Sequence, residues 1–470
     1  MKYIAFTCIF VWAALFQATG QPGPSKKSLH TLPPEVLETI EKRIATGITP
    51  GMALAWIDSS GISYHSFGKT AADGIPVTEH SIFEIGSISK AFTGILLAQQ
   101  VLEGKVRLED EVNRFLPEGV AARKKGSAPM TLGHLADHTS GFPHMPDNFT
   151  PANPNNPFAD YTEDQLYAFI SSYVPSREAG SAYEYSNFAQ GLLGHILAQN
   201  QDTTYEALMM QVIADPLGMA DTRIRLTERM QASLALGHSG GRVVENWDIP
   251  TLAGAGAIRS SAFDMARFVA ANLGFIDSPL AAAMDLSHKV RHDKAGDMKV
   301  GLGWHIKEGK EGDVIWHNGG TGGYRAFVGF VKETGQGLVL LTNSSTGSDD
   351  IGFYLLDSGS TLADLKSGSQ AVDVPKSTLE DYVGVYALAP EFSITITREG
   401  KQMYLQASQQ PRLELYPESD SLFYLTVVEA KVSFQKKEGK VVGLVLYQGG
   451  RELPGKKWNR SLDSCEGNYF

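Results

Sequence analysis

The sequence has few cysteines, no excess of positive charge and, once the first 20 residues are set aside, no apolar run expected to span a membrane. Two cysteines in 470 residues cannot build a disulfide framework. The formal net charge of -11 gives the protein no electrostatic reason to hold a polyanion, so we expect no nucleic-acid partner. A hydrophobic fraction of 43% with 20% charged residues excludes a disordered or fibrous chain. At roughly 100 to 200 residues per domain, two or three domains are expected.

Residues 1–20 have the composition of a secretory signal peptide. Lys2 gives a positive start, residues 3–16 are almost uninterruptedly apolar, and Ala18-Thr19-Gly20 offers the small residues that precede a cleavage site. An apolar run of about 14 residues is too short to cross a bilayer, so we expect an exported protein, periplasmic or secreted, without a stable membrane span after cleavage. An anchor that is never cut is the alternative. Cleavage would remove Cys8 and leave Cys465 as the only thiol.

The apolar patterns predict a sheet that takes its strands from both ends of a largely helical region. A helix starting at Pro33-Pro34 precedes two strands, and a segment that is apolar on all faces, residues 83–104, is typical of a buried central helix. Strand patterns return after a helical middle. Beyond a polar, Gly- and Ser-rich linker, short strands with turns every 8 to 12 residues predict an antiparallel barrel or meander. The predicted strands are 52–58, 62–67, 314–317, 324–332 and 337–342 before the linker, and 392–397, 403–407, 413–416, 422–428, 431–435 and 441–447 after it.

The strongest local signal for chemistry is Ser87-Ile88-Ser89-Lys90 at the entry to the buried helix. Residues three apart on a helix share a face, about 5 to 6 Å apart, which is near enough for the lysine amine to take the serine proton. A lysine in a dry site has a lowered pKa and can act as that base. By itself the pattern fits an N-cap serine and an exposed lysine equally well. An apolar helix, however, leaves little solvent for Lys90 to face.

Two further segments carry polar groups next to glycines or a helix start. Tyr185 and Asn187 lie two apart in a loop before the helical run 188–197, so both side chains could reach one cleft. The stretch His317-Asn318-Gly319-Gly320 ends one predicted strand before the next begins. Glycines there let a substrate lie against the strand edge and let an N–H point at a carbonyl oxygen.

Two other patterns suggest different chemistry. Gly237-His238-Ser239-Gly240-Gly241 matches the nucleophile elbow of α/β-hydrolases, but Gly240-Gly241 is a poor start for the helix that an elbow requires, which favours a surface loop. His134 and His138 have the spacing of two zinc ligands on a helix. Leu135 occupies the place of the glutamate in a zinc protease motif, and no third ligand is evident, so structural histidines are favoured.

The order Ser-x-x-Lys, Tyr-x-Asn, His-x-Gly resembles the serine β-lactamase and penicillin-binding-protein superfamily, specifically its class C β-lactamase-like branch. The resemblance covers about residues 32–345 and includes further stretches that look similar. They are Thr131–Leu135, His138–Gly141, Pro216–Met219, Ala255–Ser260 and Gly301–Trp304. It implies an α/β (α+β) fold, with an antiparallel sheet flanked by helices and a helical subdomain, and no metal or organic cofactor.

The resemblance also implies roles for the motif residues. Ser87 would be the nucleophile that forms an acyl-enzyme, Lys90 would help to deprotonate it, and Tyr185 would pass the proton to the leaving group. The substrate-binding residues would be Asn187, His317, Asn318, Gly319 and Gly320, with the N–H groups of Ser87 and Gly320 as the oxyanion hole. His317 stands where class C enzymes have a lysine, so a charged anchor for a substrate carboxylate becomes a side chain that is partly charged at neutral pH.

The predicted organisation is a signal peptide (1–20), a β-lactamase-like hydrolase domain (28–355), a linker (356–376) and a barrel (377–460) that looks lipocalin-like. We expect acyl transfer to water from an amide, a lactam or an ester. The leading activities are those of a class C-like β-lactamase or a D-amino-acid peptidase acting on a small-molecule or peptide substrate. A carboxylesterase of the same fold and a penicillin-binding sensor without turnover remain alternatives.

Overall fold

The computed structural model describes residues 31–295, 298–363, 374–389, 392–408, 412–425, 430–448 and 451–458. The predicted signal peptide, both cysteines and much of the predicted linker lie outside these residues. No helix within these ranges is both long and apolar enough to cross a bilayer.

The helices follow the local signals of the sequence. Pro34 occupies the first turn of the first helix, where its missing N–H costs nothing. Ser186 caps a later helix by accepting the Ala189 N–H. The helices are α1 (Pro34–Ala45), α2 (Ser89–Leu102), α3 (Leu132–Ala136), α4 (Glu163–Ser172), α5 (Asn187–Gln199), α6 (Tyr205–Met209), α7 (Glu228–Ala232), α8 (Ala253–Gly256), α9 (Ala262–Asn272), α10 (Ala281–Ser287), α11 (Asp349–Leu356) and α12 (Lys376–Tyr382).

The main sheet contains strands from both ends of the helical region, as the sequence predicts. The strands up to residue 342 are β1 (Gly51–Asp58), β2 (Gly61–Gly68), β3 (Phe83–Glu84), β4 (His238–Ser239), β5 (Arg242–Val243), β6 (Arg259–Ser260), β7 (His292–Ala295), β8 (Met298–Val300), β9 (His305–Glu308), β10 (Asp313–Gly320), β11 (Arg325–Val331) and β12 (Gln336–Thr342). Eight of them form one sheet in the order β2-β1-β12-β11-β10-β9-β8-β7. Its named pairings are antiparallel, and the early strand β1 lies against the late strand β12. The predicted antiparallel sheet flanked by helices is confirmed.

Helix α2 is the buried central helix that its composition predicts. Eleven of its 14 residues are buried, and only its last turn, with Leu102, reaches solvent. Gly94 allows the backbone of the loop at Leu302 to approach, since a Cβ at Gly94 would lie 1.9 Å from the Leu302 carbonyl oxygen. Gly104, with φ +70°, follows the end of the helix in the left-handed conformation that favours glycine.

Residues 384–457 form a closed antiparallel barrel, as the spacing of turns predicts. Its strands are β13 (Gly384–Ala389), β14 (Phe392–Glu399), β15 (Gln402–Ala407), β16 (Arg412–Pro417), β17 (Leu422–Leu425), β18 (Ala430–Lys437), β19 (Lys440–Gln448) and β20 (Arg451–Lys457). Alternate residues such as Ile394 and Ile396 fill its interior. Helix α12 packs against it through Tyr382, whose ring stacks on Phe434 at 4.0 Å. A lipocalin-like identity of this barrel stays a prediction.

The Gly237–Gly241 stretch is a hairpin and not a nucleophile elbow. Strands β4 and β5 pair across Gly240 and Gly241, both of which have positive φ. No helix follows Ser239, and an elbow requires one directly after its serine. The sequence-based preference for a loop over an elbow agrees with this geometry.

Candidate active site

Ser87 lies in a single 3-10 turn, Gly86–Ile88, that leads directly into α2. The turn packs on the end of β10, because a Cβ at Gly86 would lie 2.7 Å from the Gly320 nitrogen. Gly86 has φ +51°, a conformation that is strained for other residues. The Ser87 side chain remains half-buried and is therefore accessible from the cleft.

Lys90 is fully buried beside Ser87. Its Nζ lies 2.9 Å from Ser87 Oγ and donates a hydrogen bond of 2.7 Å to the Ala255 carbonyl oxygen. Burial holds the pKa of the Lys90 amine well below its usual value. The amine is therefore shifted toward the unprotonated form that can accept the Ser87 proton.

Tyr185 completes the trio that the sequence predicted. It lies in the loop just before α5. Lys90 Nζ lies 4.9 Å from the centre of the Tyr185 ring. Burial raises the pKa of Tyr185, and the nearby Ser87 hydroxyl offsets part of that rise. The resting phenol is thus protonated.

Imidazole rings form a cluster around Tyr185. The ring of His138 lies 4.6 Å from the Tyr185 ring, and His305 and His317 stack on each other at 4.6 Å. The Tyr185 ring lies 6.1 Å from His305 and 6.3 Å from His317. Sequence reasoning singled out only His317 for this place. The signals for the others were weak: His138 opens one stretch of the family resemblance, and His305 follows another.

His317 is a neutral group and not the partly charged anchor expected from the sequence. Burial, then the neighbouring His305 and Lys90, hold the pKa of His317 well below its usual value. Its Nδ1–H donates to the Asn318 carbonyl oxygen at 2.5 Å, so Nε2 carries the lone pair. That Nε2 is buried and has no hydrogen-bond partner among the described residues. The physical reason for the correction is desolvation, which a sequence does not reveal.

Asn187 and Asn318 both have side-chain partners within the protein. Asn187 Nδ2 lies 3.3 Å from His144 Nε2. Asn318 Nδ2 donates to Asp349 Oδ2 at 2.5 Å, and alternation along the strand turns Asn318 to the face opposite His317. Asn187 thus lies next to Tyr185, whereas the Asn318 side chain is held toward the start of α11.

The two predicted zinc-ligand candidates have other roles. His134 belongs to the capping box of α3 with Thr131, and His138 Nδ1 accepts the Ser186 N–H at 3.1 Å. Within the described ranges, no group of three or more His, Cys, Asp or Glu residues could hold a metal ion.

Known families match both parts of the chain. The profile of the β-lactamase family matches residues 36–358, which is more than half of the sequence. The chain belongs to the β-lactamase family. A domain of unknown function, DUF3471, matches residues 369–457, the region of the barrel.

Named relatives of this β-lactamase-family protein include enzymes and a penicillin-binding protein. It is 27% identical over 347 residues to a β-lactamase of Escherichia coli K12, covering 66% of this chain and 88% of that one. Penicillin-binding protein 4* of Bacillus subtilis is 26% identical over 441 residues, covering 86% and 93%. The D-alanyl-D-alanine-carboxypeptidase/endopeptidase AmpH of Escherichia coli K12 is 27% identical over 334 residues, covering 66% and 85%.

Solved structures show the same fold. A class C β-lactamase superposes with a TM-score of 0.59 at 24% identity, covering 66% of this chain and 90% of that chain. A β-lactamase/D-alanine carboxypeptidase from Yersinia pestis, complexed with citrate, gives a TM-score of 0.59 at 25% identity, covering 66% and 92%. The expected class C-like fold is confirmed.

A buried ion pair close to Ser87 in the sequence was missed by sequence reasoning. Glu84 Oε1, three residues before Ser87, accepts hydrogen bonds from Arg259 Nη2 at 3.2 Å and from the Asn246 amide and the Trp247 N–H at 2.9 Å each. These contacts tie the strand before Ser87 to the loop at residues 246–247. Arg259 lay in a stretch noted for its family resemblance, but its partner is 175 positions away in the chain.

A second missed cation, Arg325, lies beside the strand end that carries Gly320. The two residues pair across β10 and β11. The Arg325 guanidinium donates to the carbonyl oxygens of Thr321 and Tyr324 at 3.0 and 2.9 Å. The negative charge of Asp349 favours the protonated form of the Arg325 guanidinium. The sequence offered no signal for this placement, since it depends on the register of the hairpin.

Gly319→Ala is expected to lower kcat about 100-fold and to destabilise the fold by about 2 to 3 kcal/mol. The reason is steric, because a Cβ at Gly319 would lie 1.9 Å from the Ile85 carbonyl oxygen and 3.1 Å from the Ser87 nitrogen. The backbone of β10 would have to move away from the nucleophile. Steady-state kinetics and urea unfolding measure the two effects. Gly347→Ala is the matched control, since no heavy atom lies within 4 Å of its Cβ position. A Gly319→Ala enzyme as active as the control would contradict this.

The protein is expected to lose stability as the pH falls from 6.5 toward 4. Burial, then Lys90, lowers the pKa of His305 from 6.5 to about 4. The unfolded chain therefore takes up this proton first, and His305 alone contributes a loss of about 3 kcal/mol across that window. Urea unfolding at pH 7.5 and pH 5 measures it. His305→Phe should reduce the pH dependence. Equal slopes for the parent protein and His305→Phe would contradict the assignment.

Proposed function

We propose that this protein is an exported serine hydrolase that cleaves amide, lactam or ester bonds through a covalent acyl-enzyme on Ser87. The observation that carries the proposal is the 2.9 Å contact between Lys90 Nζ and Ser87 Oγ, with the Tyr185 ring 4.9 Å from the same Nζ. A pure binding protein has no need for a lowered-pKa amine and a protonated phenol beside one hydroxyl.

In the acylation step, Ser87 Oγ attacks the substrate carbonyl carbon while its proton passes to Lys90 Nζ. The negative charge on the carbonyl oxygen would be stabilised by the N–H groups of Ser87 and Gly320, whose segments lie close together because the 3-10 turn packs on the end of β10. The carbon–nitrogen or carbon–oxygen bond then breaks. The Tyr185 hydroxyl gives its proton to the leaving group and is reprotonated from Lys90.

In the deacylation step, a water molecule attacks the acyl carbon and the ester bond to Ser87 Oγ breaks. The water proton passes through the same tyrosine and lysine pair, and Ser87 Oγ recovers a proton. The acid product leaves with its carboxyl group. The step consumes only water, so each turnover regenerates Ser87, Lys90 and Tyr185 in their starting protonation states.

For the substrate we propose β-lactams or peptides of D-amino acids, acted on as by a class C-like β-lactamase, a DD-peptidase or a D-aminopeptidase. The support is the relatives, whose names include β-lactamases and a D-alanyl-D-alanine carboxypeptidase. The residues we propose for binding are Asn187, His317, Asn318, Gly319 and Gly320. Arg325, paired with Gly320 across the hairpin, would supply positive charge for a substrate carboxylate.

A carboxylesterase is the second candidate, and a specific observation favours it. The lowered pKa of His317 leaves that anchor neutral, and Asp349 offsets part of the Arg325 charge. A site with a neutral anchor gains less from a substrate carboxylate and so accepts uncharged esters more readily. A sensor without turnover is the remaining alternative.

A turnover panel tests these activities. It comprises nitrocefin, a D-Ala-D-Ala peptide, a D-aminoacyl anilide and a short-chain p-nitrophenyl ester, each with the parent protein and with Ser87→Ala. Turnover of the first or the second would support a β-lactamase or a DD-peptidase, turnover of the anilide a D-aminopeptidase, and turnover of the ester alone the carboxylesterase. A stable adduct without turnover, detected by mass spectrometry, would indicate a sensor. No reaction and no adduct would contradict the proposal.

The proposed location is outside the cytoplasm, on the evidence of residues 1–20 alone. N-terminal sequencing of the protein recovered from the periplasm or the medium should begin at or near Gln21. A chain that keeps Met1 and sediments with membranes would instead indicate an uncleaved anchor.

A further inference from the structure

We propose that His138 is a positioning residue that holds the loop of Tyr185 in place for proton transfer, and that it does so as a neutral imidazole. The inference rests on the proposed function, because it assigns to Tyr185 a role in the reaction. It concerns a residue that lies 51 positions after Ser87 and that neither contacts Ser87 nor belongs to the three catalytic motifs.

The backbone of His138 is in the left-handed region, with φ 60°, which costs a residue with a Cβ about 1 to 2 kcal/mol. Two other described residues that are not glycine, Asp202 and Glu438, have positive φ, and both are exposed. His138 has 2% of its surface exposed. Strain kept inside a folded core persists only where surrounding contacts compensate for it, and such positions cluster at functional sites.

The strained conformation brings two acceptors of one residue to the N–H groups of the two residues that flank Tyr185. The His138 carbonyl oxygen accepts the Glu184 N–H at 2.8 Å, and its ring Nδ1 accepts the Ser186 N–H at 3.1 Å. The imidazole also lies against the Tyr185 ring, 4.6 Å between centres with planes 30° apart. One side chain therefore fixes both the backbone and the ring of Tyr185.

The hydrogen bond from Ser186 determines the charge that the ring can carry. An Nδ1 that accepts an N–H has no proton, so the proton of the neutral ring is on Nε2, which is buried without a hydrogen-bond partner in the described part of the chain. A second proton on Nδ1 would face the Ser186 N–H and break the contact. Neutral His138 is thus the form that holds the loop.

The surroundings keep His138 neutral. Burial, then Lys90, His305 and His144, hold the pKa of His138 well below its usual value. His317 on β10 also interacts electrostatically with it, and the phenols of Tyr183 and Tyr185 lie against its ring. The nearby carboxylates are engaged elsewhere, Asp137 with Arg291 and Glu184 with Arg177. Among the described residues, no anion is a cause that raises the pKa of His138.

The test is His138→Phe, which keeps a ring of similar size but removes the acceptor. We expect kcat to fall about 30-fold for a p-nitrophenyl ester or nitrocefin, with KM changed less than threefold, because the loss concerns proton transfer and not substrate binding. In a double-mutant cycle with Tyr185→Phe, His138→Phe should cause almost no additional loss. A role in packing alone would not produce this non-additivity.

His288→Phe is the matched control. His288 is also buried, has a pKa held well below its usual value by burial, donates one side-chain hydrogen bond from Nε2 to Asn272 Oδ1, and lies against two rings. It lies outside the candidate active site, so its replacement should cost stability and leave kcat unchanged. The inference is overturned if His138→Phe lowers stability like His288→Phe but leaves kcat within threefold of the parent protein.

A folding failure of His138→Phe would not prevent the test, because His138→Gly adopts the left-handed backbone without strain and removes the imidazole acceptor. The same loss of kcat is expected for it, and an unchanged kcat overturns the inference. Acylation by a penicillin or an aryl ester, followed by mass spectrometry, separates this inference from the proposed function. If neither the penicillin nor the aryl ester acylates the parent protein, both the proposed function and this inference are contradicted. If the parent protein and His138→Phe are acylated at equal rates, only this inference is contradicted.

Discussion

Replacing Ser87 by alanine is expected to lower kcat roughly 10⁴-fold or more on whichever substrate of the panel is turned over. The change removes the atom proposed to form the covalent bond, and no other hydroxyl of the described residues is hydrogen-bonded to Lys90 Nζ. The melting temperature should change little, since a half-buried hydroxyl contributes about 1 kcal/mol and Lys90 keeps its hydrogen bond to the Ala255 carbonyl oxygen. Steady-state kinetics, calorimetry and the loss of the acyl adduct in mass spectra measure these effects.

Ser239→Ala is the control for Ser87→Ala, because Ser239 is the serine of the competing elbow pattern. Its side chain is also half-buried, and its hydroxyl is hydrogen-bonded to Ser345 at 3.2 Å. The Ser239→Ala enzyme should keep full turnover. The opposite result, with activity lost in Ser239→Ala and kept in Ser87→Ala, would identify Ser239 in the hairpin as the nucleophile.

Lys90→Met should lower kcat about 1000-fold while leaving the fold at least as stable as the parent protein. Methionine fills the space of the lysine stem but cannot take the Ser87 proton. The buried amine has a cost in the folded state, because it loses solvation that a thioether does not require. A loss of kcat together with unchanged or higher stability would distinguish Lys90 from a lysine in an ordinary buried ion pair.

The pH dependence of stability provides a second measurement on Lys90→Met. Burial lowers the folded-state pKa of Lys90, so the unfolded chain binds more protons between that pKa and 10.5, and this group makes stability rise with pH in that window. Lys90→Met should lose this contribution, which urea unfolding at pH 7 and pH 9 detects. In the parent enzyme, kcat should fall as the pH drops through the folded-state pKa of the amine.

A surface lysine serves as control for Lys90→Met. Lys299 forms an ion pair with Glu308 at 2.7 Å on the rim of the sheet, where such pairs contribute little. Lys299→Met should therefore leave kcat unchanged. If Lys90→Met and Lys299→Met have the same kcat, Lys90 is not the base, and the proton must leave Ser87 by another route.

Much of the fold could be predicted from the sequence because the signals are local. The apolar faces of residues 83–104 predicted the buried helix, and the alternation at 392–397 predicted a barrel strand; both are present. The contact between Ser87 and Lys90 was predictable for the same reason, since three positions along a helical turn fix the distance. The order of motifs then indicated Tyr185, although no local rule brings it to Ser87.

The charge of the site could not be predicted in this way. The sequence shows that His317 replaces a lysine, but it does not show that His305 stacks on it and that burial removes its positive charge. The sequence also contains no signal for the ion pair of Glu84 and Arg259, because the partners approach only when β3 pairs with β6. Desolvation and long-range pairing are properties of the assembled core.

Gly319 shows the same difference between what the sequence predicts and what the structure adds. The sequence assigned Gly319 to substrate access, whereas the structure adds a backbone approach to Ile85 that excludes any side chain. Local periodicity and motif spacing by themselves determined the buried helix and placed the proposed nucleophile, Ser87, next to its proposed base, Lys90, because these depend on residues a few positions apart; the order of the motifs then indicated the class of fold through the family resemblance. Only the tertiary structure decided the neutral histidine cluster, the strained turn at His138 and the depth of Lys90, because each depends on segments that the chain brings together from more than 40 positions away.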